Sequence, residues 1–151
     1  MPSFNLEANR KALKSMIILF KTYQSLVEYI KKDIDQSGFD INEFSVFEVI
    51  YHYDNITVQA IKSKVLVASS SLSYILDKLQ KKQLINRKRS DQDQRIINVS
   101  LTKQGHTKAI DIFPRHYDKM KEIFNVLTVE EQSALNEMLK KIGYLAKESS
   151  K

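Results

Sequence analysis

Between Leu66 and Gly105 the apolar residues change their period, and nothing else in the chain limits the fold as much. Leu72, Ile75, Leu76 and Leu79 recur at i, i+3, i+4 and i+7, a single stripe along a helix. With about 100° between neighbours, Ser70, Tyr74, Asp77 and Lys81 point away from that stripe, flanked by Ser71, Ser73 and Lys78. From Ile85 the period falls to two. Ile85–Arg89 and Ile97–Leu101 alternate as half-buried strands do. Between them, Ser90-Asp91-Gln92-Asp93-Gln94 holds no apolar residue and has the composition of a turn. A helix with one buried face and one hydroxylated, basic face, followed by a two-stranded ribbon with a charged tip, describes a helix-turn-helix with a wing.

The same stretch contains Asp93-x-Arg95-x-x-x-Val99-x-Leu101-Thr102-x-x-Gly105. It resembles the wing signature of MarR-type winged-helix transcription regulators, with six fixed positions in a hairpin that follows a basic helix. The resemblance implies a mainly α fold with a small β-wing. A winged helix-turn-helix lobe (40–102) would carry long terminal helices that form a dimerisation region (5–36 and 128–147), joined by a connecting helix (103–126), all in one domain (1–151). The pattern departs from the family around the helix-turn-helix. Leu66 and Ala68 stand where a Gly and a Ser-like residue are common, so Ser69 or Ser70 is expected to cap the recognition helix. Gln83 replaces a common Gly after it.

The rest of the chain agrees with a mainly helical protein. Leu13, Ile17, Phe20, Val27, Ile30 and Ile34 make one stripe over residues 5–36, widened by Met16, Leu19, Tyr23 and Leu26. That surface is too broad for one small partner to cover and calls for another subunit or a second helix. Ser37-Gly38 stops the helix. Asp40-Ile41-Asn42-Glu43 is a capping box that opens a second helix with Phe44, Val46, Phe47 and Ile50 inward. Thr57 caps a short helix from Val58 to Val65, and Ile56 is placed to bridge to the wing. Thr102 caps the connecting helix, whose apolar face is expected to be Ile110, Phe113, Tyr117, Met120 and Phe124, with a kink at Pro114. Thr128-Val129-Glu130-Glu131 is a second capping box, opening a helix with Leu135, Met138, Leu139, Ile142 and Leu145 as its stripe.

Composition narrows the function classes. The formal charge is +6, which suits nucleic acid, acidic partners or a membrane surface without choosing among them. With no Cys there is no disulfide, thiolate metal site or thiol redox sensor. The longest apolar run, Met16 to Phe20, is far short of a membrane span, and Met1 to Arg10 has no secretory pattern, so a cytoplasmic protein is expected. Ser69-Ser70-Ser71 has no nucleophile-elbow context, and His52, His106 and His116 lack ligand spacing. Neither an enzyme nor a metal or other cofactor is expected.

A recognition helix in the major groove would place Ser69, Ser70, Ser71, Ser73 and Tyr74 near base edges, since its N-terminal residues reach the bases. Lys78, Lys81, Arg87, Lys88 and Arg89 would address phosphates. By resemblance, Arg95 at the wing tip would enter the minor groove, oriented by Asp93. The family likeness further implies a homodimeric repressor on a pseudo-palindromic operator in double-stranded DNA, released by a small aromatic effector. Candidate residues for that effector are Phe20, Tyr23, Phe47, Tyr51, Phe113, His116 and Tyr117, which equally well fill a core. The alternative from another class is a protein-interaction winged helix that does not touch DNA.

Overall fold

The computed structural model describes residues 6–150, so the expected helix start at residue 5 lies outside the described part. Helix α1 (Leu6–Ile34) ends in a single 3-10 turn, Asp35–Ser37, and Gly38 at φ 78° turns the chain away in the left-handed region that glycine tolerates. There follow α2 (Ile41–Tyr53), β1 (Ile56–Thr57), α3 (Val58–Lys64), α4 (Ser69–Lys81), β2 (Ile85–Arg89), β3 (Ile97–Leu101), α5 (Lys103–Phe124) and α6 (Val129–Glu148). The chain divides into two compact units on either side of the Ile110–Asp111 bond.

In the first unit the core is Phe44, Val46, Phe47 and Ile50 of α2, Ile61 of α3, the stripe of α4, and Ile85, Val99 and Leu101 of the sheet. The three strands are antiparallel in the order β1-β3-β2. Ile56 pairs with Val99, Arg87 with Val99 from the other side, and Ile85 with Leu101. The short β1 thus gives the wing hairpin a third strand and anchors it to the start of α3.

The start of α2 is fixed by a closed polar network. The Asp40 carboxylate accepts from the amides of Asn42 (2.9 Å) and Glu43 (2.8 Å), and Glu43 Oε2 accepts from the Asp40 amide at 2.9 Å. Glu43 is nearly fully buried, and its other oxygen meets two ammonium groups from α4 and its end, Lys82 Nζ at 3.0 Å and Lys78 Nζ at 3.1 Å. Burial opposes ionisation of Asp40, yet the Glu43 amide, the Lys78 ammonium and the Asn42 amide outweigh it and hold its carboxyl below the usual value. Glu43, opposed by burial and helped by Asp40, keeps Lys78 charged to higher pH than an ordinary lysine. Replacing a buried carboxylate that satisfies one amide and two lysines costs about 2–3 kcal/mol. Glu43→Ala should therefore lower the unfolding free energy from urea titration by that amount and shift the midpoint down, with Glu43→Gln between it and wild type. An unchanged midpoint would show that the network contributes nothing to stability.

The second half of the wing signature closes the lobe. Thr102 Oγ1 accepts from the Gly105 amide at 2.9 Å, capping α5, and donates to the Gln83 carbonyl at 2.6 Å. Its amide donates to Leu84 O at 3.0 Å. Gln83 itself sits at φ 59°, the conformation for which a glycine is common, so here a side chain bears that strain. A Cβ on Gly105 would lie 2.0 Å from Leu84 O, so only glycine lets α5 start this close to the end of α4.

One expectation for α5 needs correction. Its buried positions are Gly105, Ala109, Ile112, Phe113 and His116, and Ile110 is 63 % exposed, so the inward face is rotated from the expected stripe. Gly105, held against the end of α4, lies on this buried face. The helix runs on through Pro114.

In the second unit, Phe113 stacks on Tyr117 with centroids 5.9 Å apart. Thr128 and Glu131 form the capping box of α6, and Gln132 Nε2 donates to the carbonyls of Phe124 (3.0 Å) and Leu127 (3.2 Å). Each terminal helix leaves its apolar side open. Every residue of α1 from Lys11 to Ser25 is exposed, including Leu13, Ile17 and Phe20, and α6 buries none.

Candidate nucleic-acid interface

Thr57 caps α3 by accepting the Ala60 amide at 3.1 Å, and buried Val65 ends the turn-side of that helix. Four residues later α4 begins, but neither Ser69 nor Ser70 caps it. Ala68 occupies the cap position, its carbonyl already accepts from Ser71 and Leu72, and no side chain serves the first-turn amides. Both serines are instead helical and exposed. Leu72, Ile75, Leu76 and Leu79 are buried, which rolls Ser70, Ser73, Tyr74, Asp77 and Lys81 outward; Tyr74 is 65 % exposed and Ser71 half-buried. Helix α4 therefore presents hydroxyls, one phenol and an uncapped N-terminus together, a face suited to polar edges and anions.

The basic residues divide into two groups. Lys78 is turned back onto Asp40 and Glu43, as described above, with its ammonium 5.6 Å from the Tyr74 ring centroid. Arg87 is also held inside the chain: Nη2 lies 2.5 Å from Asp77 Oδ1, and Nε donates to Gln80 Oε1 at 2.6 Å. The run Arg87-Lys88-Arg89 looks like one basic patch in sequence, but strand alternation sends Lys88 to the face opposite its neighbours. Lys81, Lys88 and Arg89 are exposed, and Lys88 reaches only to Asp91, at 3.1 Å on the surface. Sequence reasoning passed over Asp77 and Gln80 as anchors for Arg87, and over Lys62 and Lys64. These two lysines add exposed charge at the end of α3, where Lys64 Nζ lies 4.2 Å from the Tyr53 ring centroid.

At the wing tip, Ser90 N donates to Ile96 O (2.8 Å) and Ile96 N to Asp93 O (2.9 Å), closing the loop. Asp93 Oδ1 accepts from the Arg95 amide at 2.9 Å and from Arg95 Nε at 3.1 Å, while Oδ2 accepts from Nη2 at 3.2 Å. The guanidinium is held side-on yet 91 % exposed. These bonds from Arg95 hold the Asp93 carboxyl below its ordinary 3.8. Because the folded value is the lower one, the ordering is complete above pH 3.8 and is lost as the pH falls through the folded value. Wing-tip order, followed by amide exchange or Arg95 side-chain NMR, should be flat from pH 5 to 8. A midpoint near neutrality would contradict this pairing.

The aromatic residues named for an effector do not share one environment. Phe20 and Tyr23 are each 63 % exposed on α1, whereas Phe47 is sealed and stacks on Phe39 at 5.2 Å. Tyr51 is half-buried and packs at 5.8 Å from His52. Phe113 and His116 are buried and Tyr117 half-buried. Phe47 is therefore core, because its ring already has an aromatic partner and no free surface.

A recognition helix held across α2 and α3, followed by a β-hairpin with a charged tip, defines a winged helix-turn-helix protein. The family model for the MarR family matches residues 39–97, from the start of α2 to the wing. The chain is 38 % identical over 138 residues to the HTH-type transcriptional regulator MhqR of Bacillus subtilis, covering 91 % of this chain and 95 % of that one. It belongs to the MarR family. Among solved structures the fold is shared with FabT of Streptococcus pneumoniae in complex with DNA (TM-score 0.70, 19 % identity, 91 % and 98 % of the two chains). It is shared also with BpsR of Bordetella bronchiseptica, whose DNA binding is regulated by 6-hydroxynicotinic acid (TM-score 0.74, 18 % identity, 86 % and 98 %). Among the described residues no helix is long and apolar enough to cross a membrane.

Proposed function

We propose that this chain is a cytoplasmic, homodimeric, sequence-specific DNA-binding repressor and not an enzyme. The observation that carries this reading is the joint presentation, on one lobe, of the exposed α4 face and an arginine held side-on by Asp93 at the wing tip. In this reading Ser69, Ser70, Ser71, Ser73 and Tyr74 meet base edges. Lys81, Lys88 and Arg89 meet phosphates, and Arg95 enters the minor groove. The uncapped start of α4 adds backbone amides for a phosphate.

The open apolar sides of α1 and α6 support a dimer built from the terminal helices. A twofold dimer would set two recognition helices about 34 Å apart, one turn of duplex, on a pseudo-palindrome. Sequencing the genomic fragments that the purified protein retains at low salt should yield such a site. Sedimentation should show a dimer at micromolar concentration. A monomer there, or retention without sequence preference, would overturn the proposal. Release by a small aromatic ligand is proposed on the example of BpsR. It requires a ligand that binds the non-binding arrangement of the dimer more tightly. Phenolic acids titrated against the retained duplex test it directly.

A further inference from the structure

We infer that Asp77, Gln80 and Arg87 form a clamp that fixes the wing to the recognition helix, making Arg87 a positioning residue for sequence selectivity and not a phosphate contact. The inference rests on the DNA-binding reading above. Arg87 lies in the middle of β2, on the same side as buried Ile85, and the alternation that buries Ile85 aims its side chain towards α4. Its guanidinium then meets two acceptors one helical turn apart on α4, Asp77 Oδ1 at 2.5 Å and Gln80 Oε1 at 2.6 Å. The side chain is only 28 % exposed, against 76 % for Lys88 next to it. A planar guanidinium can bridge two acceptors at fixed angles, which a lysine ammonium on a flexible stem cannot.

The clamp also answers a charge problem. Asp77 stands on the outward side of α4, with Lys81 one turn further on, and a lone carboxylate there would repel the DNA backbone. Paired with Arg87, it becomes a neutral strut. The wing carries Arg95 and α4 carries the base-facing hydroxyls, so the angle between them decides whether both engage adjacent grooves in one register. Discrimination between sequences depends on that angle, whereas general attraction to phosphates does not.

The two roles for Arg87 differ in salt dependence. A phosphate contact contributes about 0.9 to the slope of log affinity against log salt, equally for every sequence. A strut contributes nothing to that slope. The test measures wild type, Arg87→Gln, Arg87→Lys and Asp77→Asn by fluorescence anisotropy, on the best retained duplex and on a mixed-sequence duplex, from 50 to about 200 mM salt.

For Arg87→Gln the expected result is a loss of about 10- to 100-fold on the preferred duplex, the scale of a mismatched base pair. Mixed-sequence affinity should fall by much less, through the repulsion of the unpaired Asp77, and neither slope should become shallower by a phosphate contact's share. Arg87→Lys should fail to restore selectivity. Asp77→Asn should lose selectivity too, because it removes the charged half of the strut from an exposed position while leaving the core untouched. It keeps the test decisive if the Arg87 variants fold poorly. Two outcomes overturn the inference: Arg87→Gln weakening both duplexes alike with a slope shallower by about one unit per subunit, or Arg87→Lys behaving as wild type. A wild-type protein that prefers no duplex would instead overturn the DNA-binding reading itself.

Discussion

Gly105→Ala should lower the stability of this protein by about 3–5 kcal/mol, the tail of the distribution for single substitutions. The added methyl would sit 2.0 Å from the Leu84 carbonyl oxygen, and that obstacle is backbone, so no rotamer change relieves it. Either α5 lifts away from the end of α4, or the Leu84 peptide turns. Both movements break the bonds that Thr102 makes to Gln83 O and Leu84 O, about 1 kcal/mol each, in addition to the strain of overpacking. At roughly 3 °C per kcal/mol for a chain of this size, the thermal midpoint should drop by about 10 °C or more. Gly143→Ala is the control. It lies within α6 with nothing inside 4 Å of the new Cβ, and the change should leave the midpoint level or slightly raised. Equal midpoints for Gly105→Ala and wild type would mean that α5 does not need its close start.

The Thr and Gly of the wing signature therefore do different work from its Asp and Arg, though the motif reads as one unit. Thr102 and Gly105 set where α5 leaves the sheet, and Asp93 and Arg95 shape the tip. Local patterns carried most of the fold. The stripe of α4, the alternation of β2 and β3 and both capping boxes are relations between residues at most one or two turns apart, so periodicity and spacing suffice to find them.

What sequence could not show was contact between distant segments. Nothing near Lys78 or Lys82 points to Glu43, and nothing near Arg87 points to Asp77, until α2, α4 and β2 are packed together. For that reason two residues assigned to phosphates are paired inside the chain. The cap of α4 misled in another way. Serine is a good cap, but the turn places Ala68 at the capping position, one residue before the serines begin. The aromatic candidates fall into different environments, because a phenylalanine on an open face and one that fills a core look alike in sequence. Only burial and a stacked neighbour separate Phe47 from Phe20.

Arg95→Ala should have the largest effect on DNA binding of any surface substitution here. The side chain is 91 % exposed, so its removal leaves no cavity and breaks no core contact, and thermal stability should change by less than about 0.5 kcal/mol. What disappears is a cation held in position before DNA arrives. Asp93 takes three bonds from Arg95, one of them from the backbone, which fixes the guanidinium edge-on and reduces the side-chain entropy lost on insertion. A narrow minor groove at A·T-rich flanks concentrates negative potential, and an arginine placed there gains most. At about 1–3 kcal/mol per wing, a dimer that loses both should bind its preferred duplex on the order of 100-fold or more weakly. The loss should be greatest on A·T-rich flanks and smaller when those flanks are changed to G·C. Asp93→Asn should give a partial version of the same defect, because the cation remains but its carboxylate partner does not. Lys88→Ala should weaken all duplexes alike and make the salt slope shallower by about one unit per subunit. Flank-independent loss for Arg95→Ala would place the wing tip on phosphates. Unchanged affinity for both Arg95→Ala and Lys88→Ala would take the wing off DNA altogether.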